Sequence, residues 1–144
     1  MPPDRRLERQ AALRRALEAE GLDGLLVTHL PNIRYLTGFS GSAALLLVRH
    51  DTTILVTDFR YAAQATQEAG SVAVVEIDQR SVWERLGRVL AARPPENLGI
   101  EPHALTVRED FRAIRSQVDI VLQPHSAPAR KIDPRLDGYH GVRR

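Results

Sequence analysis

One short stretch, residues 31–42, concentrates the side chains that could contact a ligand in this chain of 144 residues. It offers an amide, a guanidinium and two aromatic rings, which belong to Asn32, Arg34, Tyr35 and Phe39. An apolar run typical of a strand follows it, and loops at strand ends often carry binding groups. The alternative interpretation is structural: Asn32 caps a short helical turn while the aromatic rings fill the core.

A second segment of this kind is the Thr-Asp-Phe-Arg-Tyr run at residues 57–61, which also follows an apolar run. The Arg60 guanidinium has five donors in a fixed fork and suits a carboxylate ligand. Asp58 can cap a helix that begins near Arg60. Two interpretations of Arg60 stay open: a salt bridge to a nearby acid, or contact with a substrate carboxylate.

Other catalytic groups are sparse. There is no cysteine, which excludes disulfides, thiolate metal sites and a cysteine nucleophile. The histidines are spread singly along the chain, at His29, His50, His103, His125 and His140. An isolated imidazole lacks the neighbours that catalysis needs, so we expect these histidines in turns. The acids are also scattered, whereas a two-metal hydrolase needs bridging carboxylates.

Composition indicates one domain in an aqueous compartment. A chain of this length can bury a single core. The formal net charge is only +2 and the bases are spread out, which is not the footprint of a nucleic-acid-binding protein. The longest apolar run, residues 43–48, is far shorter than the ~20 residues of a membrane span. We therefore expect a cytoplasmic protein with neither nucleic acid nor membrane as a partner.

Hydrophobic periodicity predicts alternating helices and strands. Strands are expected at residues 25–27, 43–48, 53–57, 72–77, 98–100 and 120–122. Helices are expected at residues 4–20, 62–69, 82–93 and 106–116. The first helix begins after Asp4, ends at Gly21 and places Leu7, Leu13 and Leu17 on one face. Asp78 or Ser81 caps the third helix, where Trp83 is a core residue. This alternation predicts an α/β layer structure whose sheet is mixed, because residues 43–57 form a hairpin.

Together, residues 24–28, 31–42 and 54–61 resemble the amino-terminal domain of the creatinase, prolidase and Xaa-Pro aminopeptidase family. The Thr-Asp-Phe-Arg-Tyr run is similar to the family's Thr-Asp-Gly-Arg-Tyr segment, with Phe59 in place of the usual glycine. The run Ala-Arg-Lys-Ile-Asp-Pro at residues 129–134 resembles the segment that leads into the family's catalytic domain. The resemblance covers about residues 5–134.

The resemblance implies a three-layer α/β/α domain with a mixed central sheet of five or six strands and a ribonuclease-H-like motif. This domain corresponds to residues 1–126. Residues 127–144 correspond to a linker or tail that would lead to a pita-bread catalytic domain, absent from the 144 residues.

The resemblance also implies a function: a non-catalytic domain of a Xaa-Pro aminopeptidase- or dipeptidase-like metallopeptidase, a hydrolase. The candidates for the substrate rim or a subunit interface are Asn32, Arg34, Tyr35, Phe39 and Arg60. The family's two divalent metals, for which manganese is expected, belong to the catalytic domain, and none is expected here. The expected partners are a second copy in a homodimer, the catalytic domain of the same or a neighbouring chain, and a peptide with proline at its second position.

Two alternatives remain at this stage. The chain could be a free-standing ligand-binding or adaptor module that recognises a peptide or a carboxylate metabolite through Arg34 and Arg60. It could also be a small enzyme with its own pocket, built on the loop and Arg60. A small enzyme requires ionisable groups that converge on one cleft.

Overall fold

In the computed structural model, residues 4–100 are described, and they form a five-stranded sheet with four α-helices. The elements in chain order are α1 (Arg6–Ala19), β1 (Gly24–Val27), α2 (Leu30–Thr37), β2 (Ala44–Arg49), β3 (Thr53–Asp58), α3 (Ala62–Ala69), β4 (Val74–Asp78), α4 (Val82–Ala92) and β5 (Leu98–Ile100). A short 3-10 turn, Phe59–Tyr61, joins β3 to α3. The predicted helix 106–116, the predicted strand 120–122 and the predicted tail 127–144 lie outside the described residues.

The sheet is mixed, as predicted. Its strand order is β4-β3-β2-β1-β5, with β1/β2 and β2/β3 antiparallel and the two outer pairs parallel. The predicted hairpin is confirmed, because Ala44 pairs with Thr57 and Val48 pairs with Thr53. This topology brings the carboxyl ends of β1, β3, β4 and β5 to one edge, together with the amino end of β2.

Helices cover both faces of the sheet, which confirms the three-layer α/β/α architecture. Helices α1, α2 and α3 pack on one face, against a core that includes Leu25 and Val27. Helix α4 packs on the other face, against a core that includes Leu26. Because neighbouring residues of a strand point to opposite faces, a strand covered on both sides appears in the sequence as a continuous apolar run.

Helix α1 ends as predicted, but the prediction that Asp4 caps its start is wrong, because Arg5 is the N-cap and the helix begins at Arg6. Gly21 follows the helix with φ of 75°, a conformation that favours glycine.

One residue that was expected on the apolar face of α1, Leu7, is not buried. Leu13 and Leu17 are buried, whereas Leu7 is 58% exposed. Because successive residues of an α-helix are rotated by about 100° about its axis, Leu7 lies about 120° around the helix from Leu13 and about 80° from Leu17. Gln10 lies close to them in angle and takes the buried position instead.

Both residues proposed as the cap of α4 contribute to its start. Ser81 is the N-cap, and its hydroxyl accepts a hydrogen bond of 3.3 Å from the Glu84 N–H. Asp78 accepts hydrogen bonds from the N–H groups of Arg80 and Ser81, at 2.7 and 3.1 Å. Trp83 is half-buried beside the α4 core, which agrees with its prediction as a core residue.

Candidate functional site

The predicted site lies at the edge where four strands end and β2 begins. Helix α2 follows β1 and ends at Gly38, whose φ is 83°. We call the loop cluster the set formed by residues 38–43, the turn Phe59–Tyr61, and Gln64 and Glu68 of α3. Three chain segments that are distant in sequence thus meet at one end of the sheet.

An aromatic pair forms the centre of the loop cluster. Phe39 is 1% exposed, and its ring meets the Tyr61 ring edge-on, with centroids 5.7 Å apart. Tyr61 also forms a hydrogen bond through its hydroxyl with the Ser42 hydroxyl. A Cβ at Gly41 would lie 2.3 Å from Phe39 Cζ and 3.0 Å from Tyr61 Cδ1. Only glycine therefore fits here without displacing the aromatic rings.

A polar contact fixes the outer side of the same loop. The Ser40 N–H donates to the Glu68 carboxylate at 2.9 Å, and the Ser40 hydroxyl donates to it as well. Gln64 donates to the Ser40 hydroxyl at 3.0 Å. The Ser40 N–H is the largest cause of a lowered pKa at Glu68, because a donor favours the charged carboxylate. Arg34 lowers this pKa further by its charge.

Arg6, the first residue of helix α1, links α1 to the helices beside the loop cluster by hydrogen bonds. One guanidinium nitrogen of Arg6, Nη1, donates to the backbone oxygen of Thr37 at 2.8 Å and to that of Glu68 at 2.6 Å. These oxygens lie in the last turns of α2 and α3, where carbonyl groups lack helical partners. A cation is favoured at such helix ends. A single side chain thus holds both helices that border the loop.

Gln10 makes a second, fully buried link at the same side of the sheet. Its Nε2 donates to the backbone oxygens of Leu36 and Val72, at 2.9 and 3.2 Å. Its Oε1 accepts a hydrogen bond of 2.8 Å from the Thr53 hydroxyl. A buried amide that satisfies groups from helix α2, strand β3 and the loop before β4 fixes the relative positions of these segments.

The predicted site residues of α2 do not share one surface. Asn32 is buried within α2, and His29 is the N-cap, so the prediction that Asn32 caps a helical turn is wrong. The helix starts earlier because Pro31 suits a first helical turn. Tyr35 lies against α1, where the Arg9 guanidinium is 4.1 Å from its ring centroid. Arg34 is exposed.

Arg60 makes the salt bridge that was one of its two interpretations. Its Nε and Nη2 donate to the two oxygens of the Asp58 carboxylate, at 3.1 and 2.8 Å. Asp58 also accepts from the Arg60 N–H at 2.9 Å, which confirms it as the cap of the turn. The Arg60 side chain lowers the pKa of Asp58. Phe59 is 58% exposed, so the ring that replaces the family's glycine lies largely in solvent.

Sequence reasoning missed the groups that hold the loop: Gly41, Ser42, Tyr61, Gln64 and Glu68. A signal for one contact was present, because the predicted hairpin brings residues 42 and 61 to the same end of the sheet. The role of Glu68 depends on how α3 packs beside the loop, and periodicity carries no such information. Among the site candidates, the structure brings Phe39 and Arg60 into the loop cluster, with Tyr61 between them.

Within residues 4–100, no three His, Asp or Glu side chains come together as a metal site. The carboxylate of the loop cluster, Glu68, accepts from Ser40, and the carboxylate at its border, Asp58, is paired with Arg60. Over the same residues, no helix combines the length and the apolar character that crossing a membrane requires.

Comparison with known proteins gives a consistent result. The family model described as Creatinase/Prolidase N-terminal domain matches residues 9–133. An uncharacterized peptidase, YqhT of Bacillus subtilis (strain 168), is 31% identical over 103 residues. That match covers 70% of this chain but only 29% of the relative.

Solved structures resemble the fold closely. The N-terminal domain of the cytoplasmic peptidase PepQ from Mycobacterium tuberculosis H37Rv aligns with a TM-score of 0.73 and 31% identity, over 94% of this chain and 98% of that one. A Xaa-Pro dipeptidase from Bacillus anthracis aligns with a TM-score of 0.71 and 25% identity, over 88% of this chain and 33% of that one. The sequence thus spans about a third of that dipeptidase chain.

Proposed function

The chain belongs to the Creatinase/Prolidase N-terminal domain family, and on this basis we propose that it is the non-catalytic N-terminal domain of a Xaa-Pro aminopeptidase- or dipeptidase-like metallopeptidase. Its work in that enzyme is to contribute subunit contacts and the rim of the substrate site. The observation that carries this proposal is the loop cluster, which is fastened to the core and exposes polar groups at one edge of the sheet.

These fixed contacts support the proposal because the residues at the rim of a substrate site must have a defined conformation before the substrate binds. Phe39 and Tyr61 are fixed by each other and by Gly41, and Glu68 holds the loop at Ser40. Binding groups on a pre-organised support lose less entropy when a ligand binds. Arg34 is an exposed cation that lies close enough to Glu68 to lower its pKa by charge, and it lies outside the Arg60–Asp58 ion pair. We assign it to contact with a peptide carboxylate or with the adjoining catalytic domain.

The proposal includes the partners and the location expected from the sequence. They are a second copy in a homodimer, a catalytic domain of the same or a neighbouring chain, and a peptide with proline at its second position. Two divalent metals, with manganese expected, would be held by that catalytic domain. The cytoplasm is the proposed compartment, supported by the PepQ neighbour, which is named a cytoplasmic peptidase.

A domain exchange tests the proposal. This chain replaces the N-terminal domain of the Bacillus anthracis Xaa-Pro dipeptidase, to which it is similar. The variant Arg34→Gln is compared with Arg93→Gln, which lies at the opposite end of the sheet and pairs with Asp51. We expect Arg34→Gln to raise the KM for a Xaa-Pro dipeptide about threefold to tenfold, the effect of losing one charged contact. The kcat should stay unchanged.

The same chimera tests the subunit contacts by analytical ultracentrifugation, where a dimer is expected. Equal KM values for Arg34→Gln, Arg93→Gln and the unsubstituted chimera would contradict the assignment of Arg34. A monomer that retains full activity would contradict the role in subunit contacts.

The two alternatives have less support from the described contacts. A module that binds a carboxylate through Arg60 must first break the ion pair between Arg60 and Asp58. A small enzyme built on the loop needs a general acid or base with a pKa near neutrality. The two carboxylates of the loop cluster and its border, Glu68 and Asp58, instead have lowered pKa values because donors hold their charged forms.

A further inference from the structure

Strand β4 forms one edge of the sheet within residues 4–100, where it pairs with β3 and with no other described strand. Most of its side chains are partly exposed, and Val74 is 52% exposed. A strand at an edge presents a row of backbone N–H and C=O groups that have no partner strand. A further strand that pairs with β4 would satisfy these groups.

The features that usually protect an edge from such pairing are missing from β4. Natural sheets protect their edges with proline, lysine or other unpaired charges. Strand β4 contains neither proline nor lysine. Its two acids face α4, where Glu76 pairs with Arg85 at 3.5 Å and Asp78 pairs with Arg88. Because arginines of the same chain neutralise both acids, neither leaves a free charge at this edge.

The charges of β4 allow it to pair with a second copy of itself. Two copies related by a two-fold axis perpendicular to the sheet have antiparallel β4 strands, and each side chain stays on its own face. An axis through Glu76 places the two Glu76 side chains opposite each other, and an axis through Ile77 places Glu76 opposite Asp78. Like charges directly opposite are destabilising. An axis through Val75 avoids both pairs, because the two Val75 side chains meet and Val74 lies opposite Glu76.

We propose that β4 is a dimerisation edge, at which a second copy of this chain pairs antiparallel in the register centred on Val75. The two sheets then form one continuous sheet across the two-fold axis. This proposal rests on the proposed function, in which a second copy is a partner, and it names the surface that the two copies share.

A charge exchange at residue 74 tests this register in the full chain. Val74→Lys places a cation opposite Glu76 of the second copy, whereas Val74→Glu places two carboxylates opposite each other. Sedimentation equilibrium should give a dimer Kd about threefold to tenfold higher for Val74→Glu than for Val74→Lys. The formal net charge of +2 makes general repulsion between copies favour the opposite order. Leu7 is 58% exposed on α1, so Leu7→Lys and Leu7→Glu are matched controls that should not show the predicted order.

Hydrogen exchange locates the contact. Amides of β4 should gain protection as the concentration of the chain rises from about 10 µM to about 1 mM, because a single pair of short strands is a small interface that associates weakly. Three results would overturn the proposal: a chain that stays monomeric at the highest concentration, equal Kd values for the two Val74 variants, or protection of β4 that does not change with concentration. If the chain is monomeric but its Bacillus anthracis chimera is an active dimer, this surface is wrong and the proposed function stands.

Discussion

The substitution Gly41→Ala tests whether the loop cluster is held by close packing. The new Cβ would lie 2.3 Å from Phe39 Cζ and 2.9 Å from Phe39 Cε2, distances that atoms do not tolerate. The Phe39 ring cannot swing into solvent, because only 1% of the residue is exposed. The loop also cannot move toward Tyr61, because Cδ1 of the Tyr61 ring would lie 3.0 Å from the new Cβ.

The expected magnitude combines two effects. Overpacking a well-packed site costs about 1–3 kcal/mol. Alanine also restricts the unfolded chain, and this stabilises the folded state by about 0.4–1 kcal/mol where the backbone conformation is compatible. No positive φ is found at Gly41, so this second effect applies. The free energy of unfolding should therefore fall by about 1–2 kcal/mol in Gly41→Ala.

Urea unfolding followed by the fluorescence of Trp83, the single tryptophan, measures this change. With a slope of about 2 kcal/mol per molar, in the middle of the range for small proteins, the midpoint should fall by about 0.5–1 M. Gly24→Ala is the matched control, because its Cβ would meet other atoms at ordinary distances, of which the shortest is 3.4 Å. Its midpoint should change little.

A double-mutant cycle separates the clash from other causes. In a Phe39→Leu background the clashing ring atoms are gone, so Gly41→Ala should cost at least about 1 kcal/mol less than in the wild type. An unchanged midpoint in Gly41→Ala would refute the close-packing argument. Equal costs of Gly41→Ala in the two backgrounds would show that Phe39 is not the obstacle.

Three further substitutions probe the elements around the loop cluster. Gln10→Leu leaves two buried backbone oxygens without their donor and should lower the free energy of unfolding by about 1–3 kcal/mol. Ser81→Ala removes the N-cap of α4 and should cost about 1 kcal/mol. Asp78→Asn tests a pH effect: the backbone N–H of Arg80 is the largest cause that lowers the Asp78 pKa from 3.8 to about 2. Its ionised form therefore stabilises the fold above about pH 4, and this stabilisation is lost as the pH falls toward 2.

Urea unfolding measures the first two changes, and a variant with the wild-type midpoint would contradict the corresponding contact. For Asp78→Asn the quantity is the difference in melting temperature from the wild type, recorded between pH 7 and pH 2. Asparagine keeps the acceptor oxygen but does not titrate, so the difference should be largest near neutrality and shrink below pH 4. A constant difference across this range would contradict the pKa argument.

Much of the fold follows from the sequence. Strands buried on both faces appear as continuous apolar runs, and Gly21 and Asp58 mark the ends of their elements by local chemistry. These signals depend only on residues that are close in sequence, so they predict the elements without knowledge of tertiary contacts. Family resemblance adds the layer order, and the sheet and its helices agree with it.

The details that failed depend on tertiary contacts. Leu7 was expected inside and is exposed, because Gln10 finds three partners in the interior and takes the buried position. Asn32 was expected as a cap but lies within α2, because a first turn with Pro31 extends the helix backward. The partner of Ser40 could not be predicted either, since it lies on a separate helix. Periodicity places a residue on a face but does not select its contacts.

The central claim is that the hydrolytic machinery belongs to a partner domain and that this chain supplies the support. The most direct measurement is the rate of Xaa-Pro dipeptide hydrolysis by the purified 144-residue chain in the presence of Mn²⁺. We expect a rate equal to that of buffer with Mn²⁺ alone. A rate that increases with the concentration of the chain and is abolished by a metal chelator would contradict the claim.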